Sequence, residues 1–144
     1  MTDYKLYRGS IFHCIEDASN VKPVYFQDGL MIVSEGKIVE VGEYSKLSVR
    51  FSSGDPIVHF KDSLIMPGFI DSHIHYPQYK VISSYGTSLL EWLNKYTFVE
   101  EQKFSDIDYA ARVAELFLDE LLKNGTTTAM TFCTSHKQSV DVFY

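Results

Sequence analysis

Short apolar runs separated by turn residues fill the first 65 positions, and one long helical period flanked by apolar runs fills the rest. Leu30 to Val33 and Lys37 to Val41 are rich in β-branched residues and flank Ser34-Glu35-Gly36, a pattern that predicts a hairpin, although Glu-Gly is a weaker turn than Asn-Gly. Tyr4 to Ile15 and Pro56 to Phe60 predict further strands, with Ser52 to Asp55 as a loop. A small antiparallel sheet is the expected result.

The texture changes near Leu64. Leu64-Ile65-Met66 predicts a buried strand, and Pro67-Gly68 before Phe69-Ile70 predicts an irregular exit from it. Leu89 to Leu93 suggests one or two helical turns, inside a long loop marked by Tyr85-Gly86 and Thr97. Ile107, Ala111, Ala114, Leu118, Leu121 and Leu122 then recur at helical spacing and define one apolar face. Ser105 with Asp108 resembles a capping box, and Asn124-Gly125 supplies a left-handed stop. Thr126 to Phe132 predicts a second strand, and Ser139 to Tyr144 the start of another helix. Strand, long loop, helix, strand and helix is the rhythm of a βα barrel or a doubly wound sheet.

Composition narrows the function classes. Hydrophobic residues make up 45% and charged residues 22% of the 144, which excludes a disordered tail. The net charge of −6 repels phosphate backbones and anionic membrane surfaces, so nucleic-acid binding is not expected. The start MTDYKLYRGS lacks a basic flank and apolar core, and no apolar run reaches bilayer-spanning length, so a soluble cytoplasmic protein is expected. Cys14 and Cys133 form no CxxC pair and read as reduced structural thiols.

The chemistry concentrates at His73-Ile74-His75. Side chains two apart on an extended backbone project the same way, so both imidazoles face one point. Neutral imidazole nitrogens bind zinc at about 2.0 to 2.1 Å, and two converging from a strand end can occupy adjacent coordination positions. In a βα barrel that end is the catalytic face. An HxH triplet by itself is a weak signal, and two ligands alone would bind weakly. Asp71 either orients an imidazole or caps a loop. His13, His59 and His136 read as structural or surface residues, and Glu115, Asp119 and Glu120 as a solvated helix face.

The stretch MPGFIDSHIH, residues 66–75, resembles the signature of the amidohydrolase superfamily, and GLMIVSEGKIVEVGE resembles the small β-sandwich that accompanies the barrel in many members. HIHYPQYK, YGTSLLEWLNKYTF, LLKNGTTTAMTF and HKQSV are similar, more specifically, to the guanine deaminase family within it. The resemblance implies an α/β fold. Residues 1–65 would be part of a small β-sandwich, and residues 66–144 the first βα units of a TIM-type (β/α)8 barrel, incomplete here. It also implies zinc-dependent deamination of guanine to xanthine and ammonia, with His73 and His75 as ligands of Zn2+. His75, Tyr76, Pro77, Gln78, Leu89 and Trp92 would line the substrate site. Gln78 would read the donor and acceptor edge of the purine, its alternative being a solvated loop glutamine. Trp92 with Leu89 and Leu90 would form an apolar wall, its alternative being core packing.

The family's remaining ligands, two later histidines and an aspartate, and its proton-shuttling glutamate cannot be found in these residues. A closed barrel needs roughly 200 residues or more, so the chain is expected to be an amino-terminal segment, inactive alone, of a longer homodimeric enzyme. Two alternatives stand beside this reading. One is an amidohydrolase acting on another heterocycle; the other is a short non-catalytic paralogue serving as a binding module. Zinc deaminases with cysteine ligands match poorly, because HxE and PCxxC are absent.

Overall fold

A computed structural model of the chain describes residues 4–17 and 20–144. Residues 1–3, on which the reading of the chain's start partly rests, and residues 18–19 lie outside the described residues. The chain divides into two compact units, Met1–Pro67 and Gly68–Tyr144.

In the first unit, β1 (Tyr4–Asp17), β2 (Asn20–Ser34), β3 (Lys37–Glu43) and β4 (Ile57–Ile65) form one sheet in the order β3-β2-β1-β4. The β2–β3 hairpin is the expected one. Ser34 pairs with Lys37 across Glu35-Gly36, and both turn residues have positive φ, 52° and 75°. A primed turn demands that combination, and glycine tolerates it without strain. The sheet is not wholly antiparallel, however. Between β3 and β4 the chain runs through α1 (Tyr44–Leu47) and a 3-10 turn (Ser48–Arg50), and it returns on the far side of β1 to pair with it in parallel.

That crossover also closes the unit's core. Leu6 of β1 stands between its register partners Ile32 and Ile57, and Leu47 of α1 completes the buried cluster with Leu30. The expectation that Leu64-Ile65-Met66 opens a buried strand of the second architecture is corrected. Leu64 and Ile65 pair with Ser10 and Ile11 as the end of β4, and Leu64 is 50% exposed. Three apolar residues in a row are too few to tell a buried strand from the end of a half-covered one.

In the second unit, β5 (Phe69–His75) and β6 (Thr126–Phe132) pair in parallel. Gly68, just before β5, lies so close to Thr127 that a Cβ there would fall 2.0 Å from the threonine hydroxyl oxygen. The connection between the strands is an irregular stretch at residues 82–88, where a loop is expected, and largely helical from Leu89 onward, which shortens the expected long loop. A 3-10 turn (Tyr76–Val81) leads to α2 (Leu89–Trp92), a π turn (Leu93–Thr97), α3 (Phe98–Gln102), a 3-10 turn (Lys103–Ser105) and α4 (Ile107–Lys123). Ser88 starts α2 by accepting the Glu91 amide hydrogen at 3.2 Å, while the Glu91 carboxylate accepts the amide hydrogen of Thr87 at 3.1 Å. This cap starts the helix at Leu89, just after the irregular stretch that contains Tyr85-Gly86. After β6 comes α5 (Lys137–Asp141), two residues earlier than expected.

The long helix follows the expected span but buries a face that overlaps the expected stripe only in part, at Ala114 and Leu121. Ala110, Val113, Ala114 and Phe117 are buried, whereas Ile107, Leu118 and Leu122 of the expected stripe are exposed. The helix is apolar on more than one side. The side that wins meets an aromatic cluster: Tyr76, Phe104 and Phe117 pack edge-on or tilted around one another, with Phe143 stacked on Tyr76 at 4.7 Å. Aromatic pairs in such geometries contribute beyond the area they bury.

The start of α4 is also corrected. Its N-cap is Asp106, whose carboxylate accepts the amide hydrogens of Asp108 and Tyr109 at 2.9 and 3.2 Å. The Ser105 hydroxyl instead donates to the Gln102 carbonyl. Gly125, with φ of 80°, ends the helix as expected. Replacing Asp106 by alanine is therefore expected to cost about 1 kcal/mol in chemical denaturation. Ser105→Ala should stay within about 0.5 kcal/mol of the parent; the reverse order would restore the serine as the cap.

Candidate functional site

Strand β5 ends at His75, so the histidine pair lies within the strand's last three residues rather than after it. The two Nε2 atoms stand 3.1 Å apart, with ring centroids at 5.1 Å. The register between Asp71 and Ile74 is irregular: Asp71 opposes Ala129 while Ile74 already opposes Thr131. Asp71 stabilises that bulge, its carboxylate accepting the His73 amide hydrogen at 3.0 Å. Between the two roles left open for Asp71, the contact present is with the backbone. A bulge next to a site re-aims a side chain, and here it leaves both imidazoles converging.

Neither imidazole sits in a polar cage. His73 is exposed and His75 half-buried, and the rings of both rest on Phe132 at 4.8 Å. Phe132 is the last residue of β6 and the register partner of His75. The sequence reading assigned no chemistry to it. Two predicted parallel strands, aligned at their ends, carry the signal that would have found it. Bonds of about 2.0–2.1 Å to a tetrahedral zinc hold two ligand nitrogens about 3.3 Å apart, so the pair has the spacing of two positions on one ion. Among the described residues no group of three or more His, Cys, Asp or Glu side chains is arranged to hold a metal.

The other expected site residues are differently placed. Tyr76 and Pro77 are buried, and the Tyr76 hydroxyl donates to the Ser139 carbonyl at 2.6 Å. Burial pushes its phenol up to about 12, so it stays a neutral donor that ties the exit of β5 to α5. Gln78 is half-buried in the 3-10 turn that follows. Leu89 is exposed and Trp92 half-buried on α2, and neither ring of the histidine pair stacks on Trp92; their ring contacts are with each other and with Phe132. His136 precedes α5, while His13 and His59 lie on β1 and β4 of the first unit. Burial raises the Cys133 thiol, which keeps it protonated, as a structural cysteine would be.

A parallel strand pair joined by a helical crossover, with a histidine pair at the C-terminal end of the first strand, places the second unit in the α/β class. The chain belongs to the amidohydrolase family: the family's model matches residues 64–143. It is 38% identical over 145 residues to guanine deaminase of Escherichia coli, a match covering 97% of this chain and 33% of that protein. Among solved structures, guanine deaminase from Bradyrhizobium japonicum superposes with a TM-score of 0.87 at 38% identity, over 98% of this chain and 32% of that one. Guanine deaminase from C. acetobutylicum with bound guanine gives 0.79 at 34% identity, over 98% and 33%. The chain thus spans about a third of the length of the relatives it matches.

The helical track that carries Leu89 and Trp92 is anchored at Glu100. This carboxylate is buried, which by itself disfavours its charge, yet it accepts hydrogen bonds from Lys103 at 2.6 Å and from the Tyr109 hydroxyl. Those bonds, with the nearby charge of Lys80, outweigh burial and hold Glu100 below the usual carboxylate range. A folded-state value below the unfolded one contributes stability that is present above the ordinary carboxylate range and is lost as pH falls through the lowered value. Glu100→Gln should therefore destabilise the protein at pH 7 by about 1.5–3 kcal/mol, the scale of a hydrogen bond to a charged group. The gap in denaturation midpoint should narrow steadily below pH of about 4. A gap independent of pH would refute the ionised state.

Proposed function

We propose that this chain contributes part of the active site of a zinc-dependent guanine deaminase, which hydrolyses guanine and water to xanthine and ammonia within a polypeptide of its relatives' length. The observation that carries the reading is the convergence of His73 and His75, with Nε2 atoms 3.1 Å apart at the end of β5. The likeness of almost the whole chain to guanine deaminases supports the substrate.

In this reading residues 1–65 are part of a small β-sandwich and residues 66–144 the first βα units of a TIM-type barrel. The parallel β5–β6 pair with its helical crossover supports the second assignment. His73 and His75 give two neutral nitrogens to the ion. Held by these two nitrogens together with further ligands, zinc would supply Lewis-acid activation of the water that attacks the purine carbon as ammonia leaves. By the family resemblance, the remaining ligands and the proton-shuttling carboxylate would lie in the part of its relatives' length that this chain does not span.

The residues after the pair bind and orient the base. Gln78, three positions beyond His75, offers an amide that donates and accepts and so matches the mixed edge of guanine. Leu89 and Trp92 give apolar surface for its flat face. Buried Tyr76 and Pro77 fix the backbone from which Gln78 projects. The homodimeric state, which rests on the family resemblance, and the cytoplasmic location, which rests on the reading of the sequence, belong to the same proposal. No helix among the described residues is long and apolar enough to cross a membrane.

In the full-length protein, His73→Ala or His75→Ala should lower both zinc content and xanthine production. The loss in kcat/KM should be at least about a hundredfold, beyond the 10–100-fold usual for a residue that only supports a ligand. Xanthine production that survives a strong chelator would overturn the metal assignment. Gln78→Ala should reduce kcat/KM for guanine by about 10–100-fold, the equivalent of about 1.5–3 kcal/mol of lost recognition. Unchanged guanine turnover in that variant would favour an amidohydrolase of another heterocycle.

A further inference from the structure

We propose that Phe132 is a positioning residue for the metal site, its ring serving as the platform that holds the imidazoles of His73 and His75 with their Nε2 atoms converged. This rests on the reading of the two histidines as zinc ligands.

Three observations carry it. First, the contact is shared: ring centroids lie 4.8 Å from Phe132 for both histidines, with the His75 ring nearly parallel at 15° and the His73 ring tilted at 43°. Second, β5 and β6 fix it from the backbone, because Phe132 is the register partner of His75. Third, Phe132 is not core. It lies outside the cluster of Tyr76, Phe104, Val113 and Phe117 and is 43% exposed, so the imidazoles are the ring partners it has among the described residues.

The chemistry explains why an aromatic hydrocarbon suits this place. Two imidazoles with their nitrogens this close are held in one rotamer each, which costs side-chain entropy unless something packs against them. A flat ring under both limits their rotation and offers neither donor nor acceptor, leaving the Nε2 lone pairs free. The face of a phenyl ring is also electron-rich, and an imidazole that has donated its lone pair to a cation is electron-poor, so the stack strengthens when metal binds. Preorganisation of this kind raises affinity without a new bond to the ion.

The test uses the full-length protein and reads zinc affinity by competition with a chelator, alongside thermal unfolding of the metal-free form. Phe132→Ala should weaken zinc binding about tenfold or more, the range found for residues that orient a ligand. Phe132→Tyr, which keeps the ring, should stay within about threefold of the parent. Phe132→Leu keeps the apolar volume without the ring, and should weaken binding by more than about threefold even if the alanine variant does not fold. Parent-like affinity in a folded alanine or leucine variant overturns the proposal, as does a tyrosine variant as weak as alanine. His73→Ala runs in parallel. If the parent binds no zinc, or His73→Ala binds it as tightly as the parent, the reading of the site itself has failed rather than the role of Phe132.

Discussion

Parallel pairing of β5 with β6 is the constraint from which the candidate site follows. Two parallel strands joined in sequence need a crossover, and the crossover here is a succession of helical turns ending in α4, which must lie against them to bury an apolar face. With the strands in register, their C-terminal ends coincide. His75 and Phe132 then fall side by side, and His73 joins them from the same strand. The site is thus a product of strand register rather than of a loop, and its side chains inherit the rigidity of the backbone beneath them. The local departure from register at Asp71 to Ile74 does not disturb this, because the Asp71 carboxylate accepts the His73 amide hydrogen at the bend.

What the sequence made legible was what local chemistry decides. The Glu35-Gly36 turn, the span of α4, the Gly125 stop and the parallel strand from Thr126 to Phe132 each depend on residues within a few positions of one another, and each was read in its place. The histidine pair was legible because alternation along a strand is a short-range rule. Its approach within 3.1 Å fits that reading. What escaped the sequence depends on residues far apart. The parallel attachment of β4 to β1 follows from how α1 and its 3-10 turn carry the chain across, and nothing within Ile57–Ile65 announces a direction. The buried face of α4 was read only in part because the helix offers apolar residues on two sides, and Tyr76, far away in sequence, together with Phe104 chooses between them. The extension of β2 to Asn20 is likewise held by β1, which pairs Cys14 with Pro23 through a segment that local propensity would leave irregular.

The same distinction separates the residues expected around the site. Tyr76, Pro77 and Gln78 were grouped by the family resemblance, yet burial divides the three. The first two are buried, Tyr76 within the aromatic core, and the third stays half-buried in the turn. Adjacency in a motif therefore says which residues share a backbone path, while burial separates those packed inside from those left open. Phe132 is the converse case, 57 positions from His75 by number and in contact with it in space.

Gly68 gives the recognisable MPG segment a meaning apart from catalysis. A methyl group at that position would overlap the Thr127 side chain outright, at distances no real pair of atoms adopts. The hydrogen of a glycine is what lets the entry to β5 draw up against the first residues of β6. Part of the pattern by which such chains are recognised is thus a spacing requirement between adjacent stretches of backbone, set before any reacting group enters, and a search that demands the glycine selects for close approach as much as for hydrolysis.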